Sequence, residues 1–527
     1  MSRNKVEKLL SCAGAVLCVL ALFCACYFIA WPMRGYFNSD YADTLTWAKA
    51  SVDAKALFSH DFTYACLLPF GGQLLMMPFV ALFGYTYTAQ ACGMILFLLL
   101  FALALGALFR ALGANLFWTG LTLFCVIGAL CSSEKLREVY FGHILYYSLG
   151  ALFLMVGLTL VLSLEKDKNN KFPWRTVGFC AWCVLCSADG LTSLTLFVLP
   201  LCAALAFERL CDKQVKFLSN ESFERARPLF FALVFSIGGL GLGALLRHGF
   251  EAPYQEAFST FSTEMDWAAN LELVLPSFLC LFTGSVDMYL SFTSFSGITT
   301  ALRLLFGLAV MATPIVSLFF WKHLNRGEKL LVISHFTVSA TMLFAFVFGL
   351  LSNATWRLSP MLFTALLVTL CLIRRLAVTP FFKRFALLAM AFCVLVAGLG
   401  LLDVIKMKPD YTPVGSAADL THYLKAEGFT HGYSTFWNAN AITVLSNGDV
   451  ACRNVSVDEN TGTLTADYYQ SEKAWYKNGG VGERNFLLLT EAEHTAFMKT
   501  APSYVLDVHS YHGYCILSLA YDPFASY

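Results

Sequence analysis

The chain has 527 residues, of which 58% are hydrophobic and only 13% charged, with a net charge of +1 and a mean hydropathy of +0.63. Soluble domains carry about 25% charged residues, so this balance excludes an ordinary soluble enzyme. The near-neutral charge excludes a nucleic-acid binder, which would show a basic face.

The first apolar run, about 9–30, follows Arg3, Lys5 and Lys8. It is too long for a signal-peptide core and lacks a small-residue cleavage site before Trp31, which makes it a retained signal anchor. Further runs of membrane-spanning length are predicted at about 86–109, 115–131, 146–164, 176–188, 191–207, 229–247, 299–320, 330–351, 360–373 and 386–405, eleven in all. The apolar segments 66–84 and 271–297 are not counted as spans. The first is broken by Pro69, Gly71-Gly72, Gln73 and Pro78, and counting either would spoil the alternation of charge between the two sides.

With eleven spans, twenty Lys and Arg fall on one side, from Arg3 through Lys166, Lys168 and Lys171 to Arg384, against seven on the other before residue 400. The positive-inside rule then puts the N-terminus in the cytoplasm and the tail outside. That tail, 406–527, holds 8 Lys and Arg against 13 Asp and Glu and alternates helix-like with strand-like stretches. The expected fold class is therefore an α-helical polytopic membrane protein, 1–405, with outer loops 31–85 and 132–145 and a small extracytoplasmic α/β domain, 406–527.

Of the 18 cysteines, 16 precede residue 400 and lie mostly in apolar runs, where Cys behaves as a small hydrophobe. Cys180, Cys183 and Cys186 form a CxxCxxC run without acidic or His neighbours. Cys452 and Cys515, the pair in the tail, could form a disulfide outside the cytoplasm. Two sequons, Asn353-Ala-Thr and Asn454-Val-Ser, fall on the same side.

Four features carry chemistry. Asp40 and Asp43 follow the first span; either is a general base or cation ligand at the membrane surface, or a helix cap and first-turn acid of the run Tyr41 to Leu57. In the second outer loop, Glu138 and His143 position substrate or move protons, or form a charged interfacial turn. Asp189 lines a cavity, or belongs to an Asp-Gly turn. Arg357 holds a lipid phosphate, or snorkels to the headgroups. There is no Walker-type or dinucleotide-binding motif, so an outward-facing reaction needs a substrate activated within the membrane.

This layout resembles the GT-C superfamily of membrane glycosyltransferases, the group of protein mannosyltransferases and aminoarabinose transferase. The features that carry it are Asp40 after the first span, the stretch Pro69 to Leu82-Phe83-Gly84, the turn Arg110-Ala-Leu-Gly113, the loop Glu134–His143, and Arg357 with Pro360. The family's Pro-Pro is here Leu68-Pro69. The resemblance implies a glycosyltransferase of the cell envelope that moves a sugar from a polyprenyl-phosphate donor to a glycan, lipid or protein acceptor, with inversion. Asp40 would be the base and Asp43 its support. Arg357 and Arg34 would hold the departing phosphate, while Glu138, His143 and Asp189 contact substrate. It implies no nucleotide cofactor; a divalent metal on Asp40 with Asp43 or Glu138 stays open. The alternatives are a transporter or flippase of lipid-linked substrates, motivated by the many spans and Asp189, and a non-catalytic assembly or sensor protein working through its tail domain.

Overall fold

The computed structural model describes residues 3–164, 173–211, 220–250, 252, 260–287, 289–350, 354–477 and 484–524. Lys166, Lys168, Lys171, Lys213, Lys216 and the sequon residue Asn353 lie outside them. Among the described residues, nine helices are long and apolar enough to cross a membrane: Glu7–Ala30, Tyr87–Ala111, Tyr146–Ser163, Leu191–Leu210, Ala226–Arg247, Phe295–Phe319, Arg326–Phe348, Thr355–Ala377 and Lys383–Lys406. Each coincides with an expected span. Two bent pairs, Leu116–Leu130 with Glu134–Gly142 (118°) and Glu264–Glu272 with Val274–Thr283 (43°), raise the number to as many as 11 if each is one span.

The differences from expectation are local. The run 115–131 is only the first arm of a bent pair, because Ser132-Ser133 end its helix and Ser133 caps the next through Leu136 N–H at 3.2 Å. The run 176–188 is the 14-residue helix Trp174–Ser187. At 1.5 Å per residue it is about 21 Å long, short of the roughly 30 Å hydrocarbon core. The excluded segment 271–297 contains the helix Val274–Thr283, an arm of the second bent pair. In 66–84 only Gln73–Phe83 is helical. Gly72 precedes it because the chain there passes against Ile144: a Cβ would lie 2.4 Å from Ile144 Cβ and from its carbonyl oxygen.

The helix Ser359–Ala377 is buried on nearly every side, which suits a helix that is apolar all round up to the arginines of its last turn. At one end of this bundle Glu328, 1% exposed, accepts from Arg374 at 2.6 Å and Arg375 at 2.7 Å.

After Lys406 the chain builds a six-stranded sheet: β1 (His431–Ser434), β2 (Ala451–Val457), β3 (Leu464–Ala466), β4 (Asn485–Thr490), β5 (Val505–Tyr511) and β6 (Tyr514–Leu519). The spatial order is β3-β2-β1-β4-β6-β5, with β2, β1 and β4 parallel and the remaining pairs antiparallel. The strand-like stretches of the tail sequence, at about 432–436, 486–489, 504–508 and 514–520, correspond to β1, β4, β5 and β6. The strands β2 and β3, and the helix Phe436–Leu445 that connects β1 to β2, were not legible there.

Two expectations are corrected here. Cys452 on β2 and Cys515 on β6 are both free. β1 and β4 stand between their strands, so about 14 Å of sheet separates them, twice the reach of a disulfide. The sequon residue Asn454 is buried, with its side-chain amide donated to Tyr469 C=O at 2.5 Å, so it is closed to glycosylation in the folded domain.

The sheet domain sits on the loop that carries the two aspartates. Trp47 Nε1 donates to Gln470 Oε1 at 2.5 Å, the Ser39 hydroxyl donates to Phe436 C=O, and the Tyr36 ring stacks on Tyr411 at 5.0 Å. Phe62 and Thr63 form β-bridges with Glu472 and Tyr469. The aspartate loop and the tail therefore share one side of the bundle.

Candidate active site

The helix carrying both aspartates is Ser39–Ala54, and its cap is Asn38, not Asp40. Asn38 Oδ1 accepts the N–H groups of Asp40 (3.0 Å) and Tyr41 (3.3 Å). The capping role that a Ser-Asp start suggested is thus already taken. Asp40 and Asp43, three residues apart, share one helical face. Asp40 is half-buried, and Asp43 is only 6% exposed, with one carboxylate oxygen lacking a hydrogen-bond partner among the described residues.

The loop 132–145 supplies the opposing charges. Its short helix Glu134–Arg137 runs into a wide π-turn, Glu138–Gly142, a distortion common at functional sites. Lys135 Nζ donates to both oxygens of the buried Glu138, at 2.8 and 2.7 Å, and lies over the Trp356 ring at 4.5 Å. Arg137 turns inward to Cys131 C=O (2.8 Å) and the Phe28 and Tyr36 rings, and so holds the loop in place.

The acids now differ in character. Burial raises the pKa of Asp40, and the Lys135 ammonium pulls it back. Burial pushes Asp43 well above the carboxylate range, and the negative charges of Asp40 and Glu138 push it further. Glu138 is raised by burial and lowered by Lys135. Asp40 is then the stronger acid of the pair, the first to give up its proton, and Asp43 the weaker acid, the one that keeps a proton to donate in a hydrogen bond. Burial and Lys135 press the His143 pKa down to about 3, which leaves a neutral imidazole.

Asp43→Asn tests this division. An acid whose folded pKa is raised loses stability as pH climbs from its ordinary value, near 3.8, toward the raised one. The amide removes that loss. The variant should match or exceed the wild type in melting temperature at pH 7–8, with activity within about tenfold, since Asn mimics the neutral acid. Thermal unfolding of solubilised protein from pH 4 to 8, beside an activity assay, reads both.

The remaining predicted residues extend the same polar file. Cys66 lies against Tyr146 and within electrostatic range of both Asp43 and Asp189. Tyr146 in turn senses Asp43, and Arg357 lies near Tyr146 and Tyr147. Asp189 Oδ1 accepts Phe70 N–H at 2.8 Å, pinning the 66–72 loop, and burial lifts its pKa to about 7. Asp189→Ala should cost about 1–3 kcal/mol by leaving that N–H unpaired. Asp189→Asn should keep the bond and abolish the decline in wild-type stability between about pH 4 and 7; melting curves across that range check both.

Arg34 is the predicted residue that stands apart: it is exposed and lies over the Tyr87 ring at 4.6 Å. Sequence reasoning missed Lys135, Cys66 and Tyr146 as site residues. For Lys135 a signal existed, its Lys-Glu spacing of three to Glu138 on a short helix. Among the described residues no group of three or more His, Cys, Asp or Glu is placed to hold a metal, and Lys135 already occupies both oxygens of Glu138. The site does not fit a divalent ion.

No family model matches the chain, and no curated protein matches it. Solved structures do. One is ArnT from Cupriavidus metallidurans in the apo state, at 14% identity and TM-score 0.46, over 98% of this chain and 99% of that one. The same protein bound to undecaprenyl phosphate gives 13% and 0.46, over 98% of each chain. The archaeal oligosaccharyltransferase AglB from Archaeoglobus fulgidus, in complex with an inhibitory peptide and a dolichol-phosphate, gives 11% and 0.45, over 96% of this chain and 74% of that one. Similarity this distant carries no residue role from one chain to the other, so the roles below rest on the site itself.

Proposed function

We propose that the chain is an integral membrane glycosyltransferase that moves a sugar from a polyprenyl-phosphate donor to an acceptor on the outer face, with Asp40 as general base. The observation that carries this reading is the file itself. A half-buried carboxylate, Asp40, stands beside a more deeply buried and weaker acid, Asp43, and a lysine, at a membrane end roofed by the tail domain, with Arg357 farther along.

In the proposed step the acceptor hydroxyl gives its proton to Asp40 as its oxygen attacks the anomeric carbon. The bond from that carbon to the phosphate oxygen breaks, and both its electrons leave with the lipid phosphate. Attack opposite the leaving group inverts the anomeric configuration. Arg357 holds the phosphate with its planar guanidinium, offsetting charge that grows in the transition state. Asp43 donates a hydrogen bond within the file, and Glu138 keeps Lys135 near Asp40. Desolvation makes Asp40 a stronger base than a surface carboxylate.

The test is reconstitution in liposomes with polyprenyl-phosphate-linked sugars and glycan, lipid and peptide acceptors. Covalent transfer that consumes the lipid-linked sugar supports the reading. Flux of the intact lipid-linked sugar between leaflets without product would replace it with a flippase.

A further inference from the structure

We propose that the seam between the aspartate helix and the tail domain is a binding subsite for a singly charged anionic saccharide unit, gripped by Arg453. Two adjoining cavities, of about 340 and 520 Å³, open at this seam and share Asp53, Ala451, Arg453 and Trp475. These volumes lie in the range of small-molecule sites. Parallel pairing sets Arg453 on β2 opposite Tyr433 on β1, so both face the same side of the sheet, and the segment carrying Glu472 and Trp475 crosses over them.

The charges along this wall are settled except one. Asp53 pairs with Lys49. Asp522 accepts the Tyr433 hydroxyl at 2.7 Å and Phe524 N–H at 2.8 Å. The buried Glu472 meets the Ser59 hydroxyl. Arg453 lies over the Trp475 ring at 4.8 Å, with Tyr85, Tyr433 and Tyr476 nearby and the carbonyl of Cys452 at 3.4 Å. Among the described residues no carboxylate pairs with it. A largely buried guanidinium without an anion is costly, and its fork matches a carboxylate or phosphate.

The surroundings narrow the ligand. Asp53, Glu472 and Asp522 line the smaller cavity and would repel a multiply charged ligand, yet they accept hydrogen bonds from hydroxyl groups. Trp475, half-buried at the cavity wall, offers an aromatic ring to a sugar. One singly charged group among several hydroxyls satisfies all of these, which describes an acidic sugar of the uronate kind.

Position tells what the subsite is for, on the reading of the chain as a transferase. Asp53 is thirteen residues along the helix from Asp40, about 20 Å. A sugar at the seam is therefore too far away to react. It would be a flanking unit of an extended acceptor whose reactive hydroxyl reaches Asp40. Tyr85 connects the two places: it lines the larger cavity, its hydroxyl is 2.7 Å from Thr46 Oγ1, and it lies within range of both Arg453 and Asp43.

Equilibrium binding to the full-length chain in nanodiscs tests this with D-glucuronate, D-galacturonate, D-glucose and inorganic phosphate. At least one anionic sugar should bind about tenfold more tightly than glucose or phosphate. Arg453→Gln should remove about tenfold or more of that affinity, and Arg453→Lys should restore part of it. Diazirine derivatives of the anionic sugars should cross-link wild-type protein within 49–53, 451–453 or 472–475, a readout that survives if Arg453→Gln fails to fold. Equal binding of glucose, equal binding of phosphate alone, no loss in a folded Arg453→Gln, or cross-links elsewhere would each overturn the proposal. Binding should persist in Asp40→Asn. Arg453-dependent binding by a chain that transfers no sugar would leave the subsite standing and remove the transferase reading.

Discussion

Asp40→Asn lowers the rate of sugar transfer by about a hundredfold or more while leaving donor binding unchanged. The substitution is nearly isosteric, and the backbone N–H of residue 40 stays on Asn38, so the helix start is preserved. What is lost is the carboxylate of the aspartate pair that is partly open and the first of the two to ionise. Asp43 cannot replace it, because burial and its carboxylate neighbours keep it protonated. Glu138 cannot either while Lys135 holds both its oxygens. A single-turnover assay with excess enzyme separates this loss from one in binding. Transfer at near wild-type rate would move the base elsewhere in the file. The pH profile gives a second check. The folded pKa of Asp40 is raised, so transfer should fail on acidification at a pH above the ordinary carboxylate value, as the base takes up its proton.

Glu328→Gln destabilises the protein by about 3–5 kcal/mol, the usual cost of removing one member of a buried ion cluster. Glu328 caps its own helix by accepting Asn325 N–H at 2.8 Å, and it binds Arg374 and Arg375 on the neighbouring helix. Arg374 also donates to Leu112 C=O at 2.9 Å, so one carboxylate fastens two helices and the turn after a third. The amide keeps the shape but leaves two guanidinium groups without their counter-charge. Thermal unfolding in detergent measures the effect; a change under about 1 kcal/mol would mean that the arginines find headgroups or water instead. Transfer at low temperature should survive, since the cluster touches no residue of the file.

Much of the fold was legible because span length and apolarity are local properties. The nine long helices were readable from runs of about 20 apolar residues. The errors came where length alone misleads: the helix 174–187 is too short to cross, and the serines at 132–133 turn 115–131 into one arm of a bend. In the tail, β4 and β6 read as strands from their own residues. β2 was hidden because its polar members Arg453, half-buried, and Asn454, buried, are covered only when β1 and the segment 467–477 close over them. The candidate site divides in the same way. Asp40, Asp43, Glu138 and Asp189 stood out because acids are rare in such a chain. Lys135 and Arg453 did not, since an unremarkable surface-type residue gains its role only from its neighbours.

The residues alone determined that this is a multi-span membrane protein with a polar tail and acids just beyond its first span, because hydrophobic length and charge are written position by position. Only the tertiary structure decided which aspartate is the weaker acid. Asp40 and Asp43 have the same intrinsic chemistry, and it is the different depth of each side chain, with Lys135 near one and two carboxylates near the other, that pushes them apart.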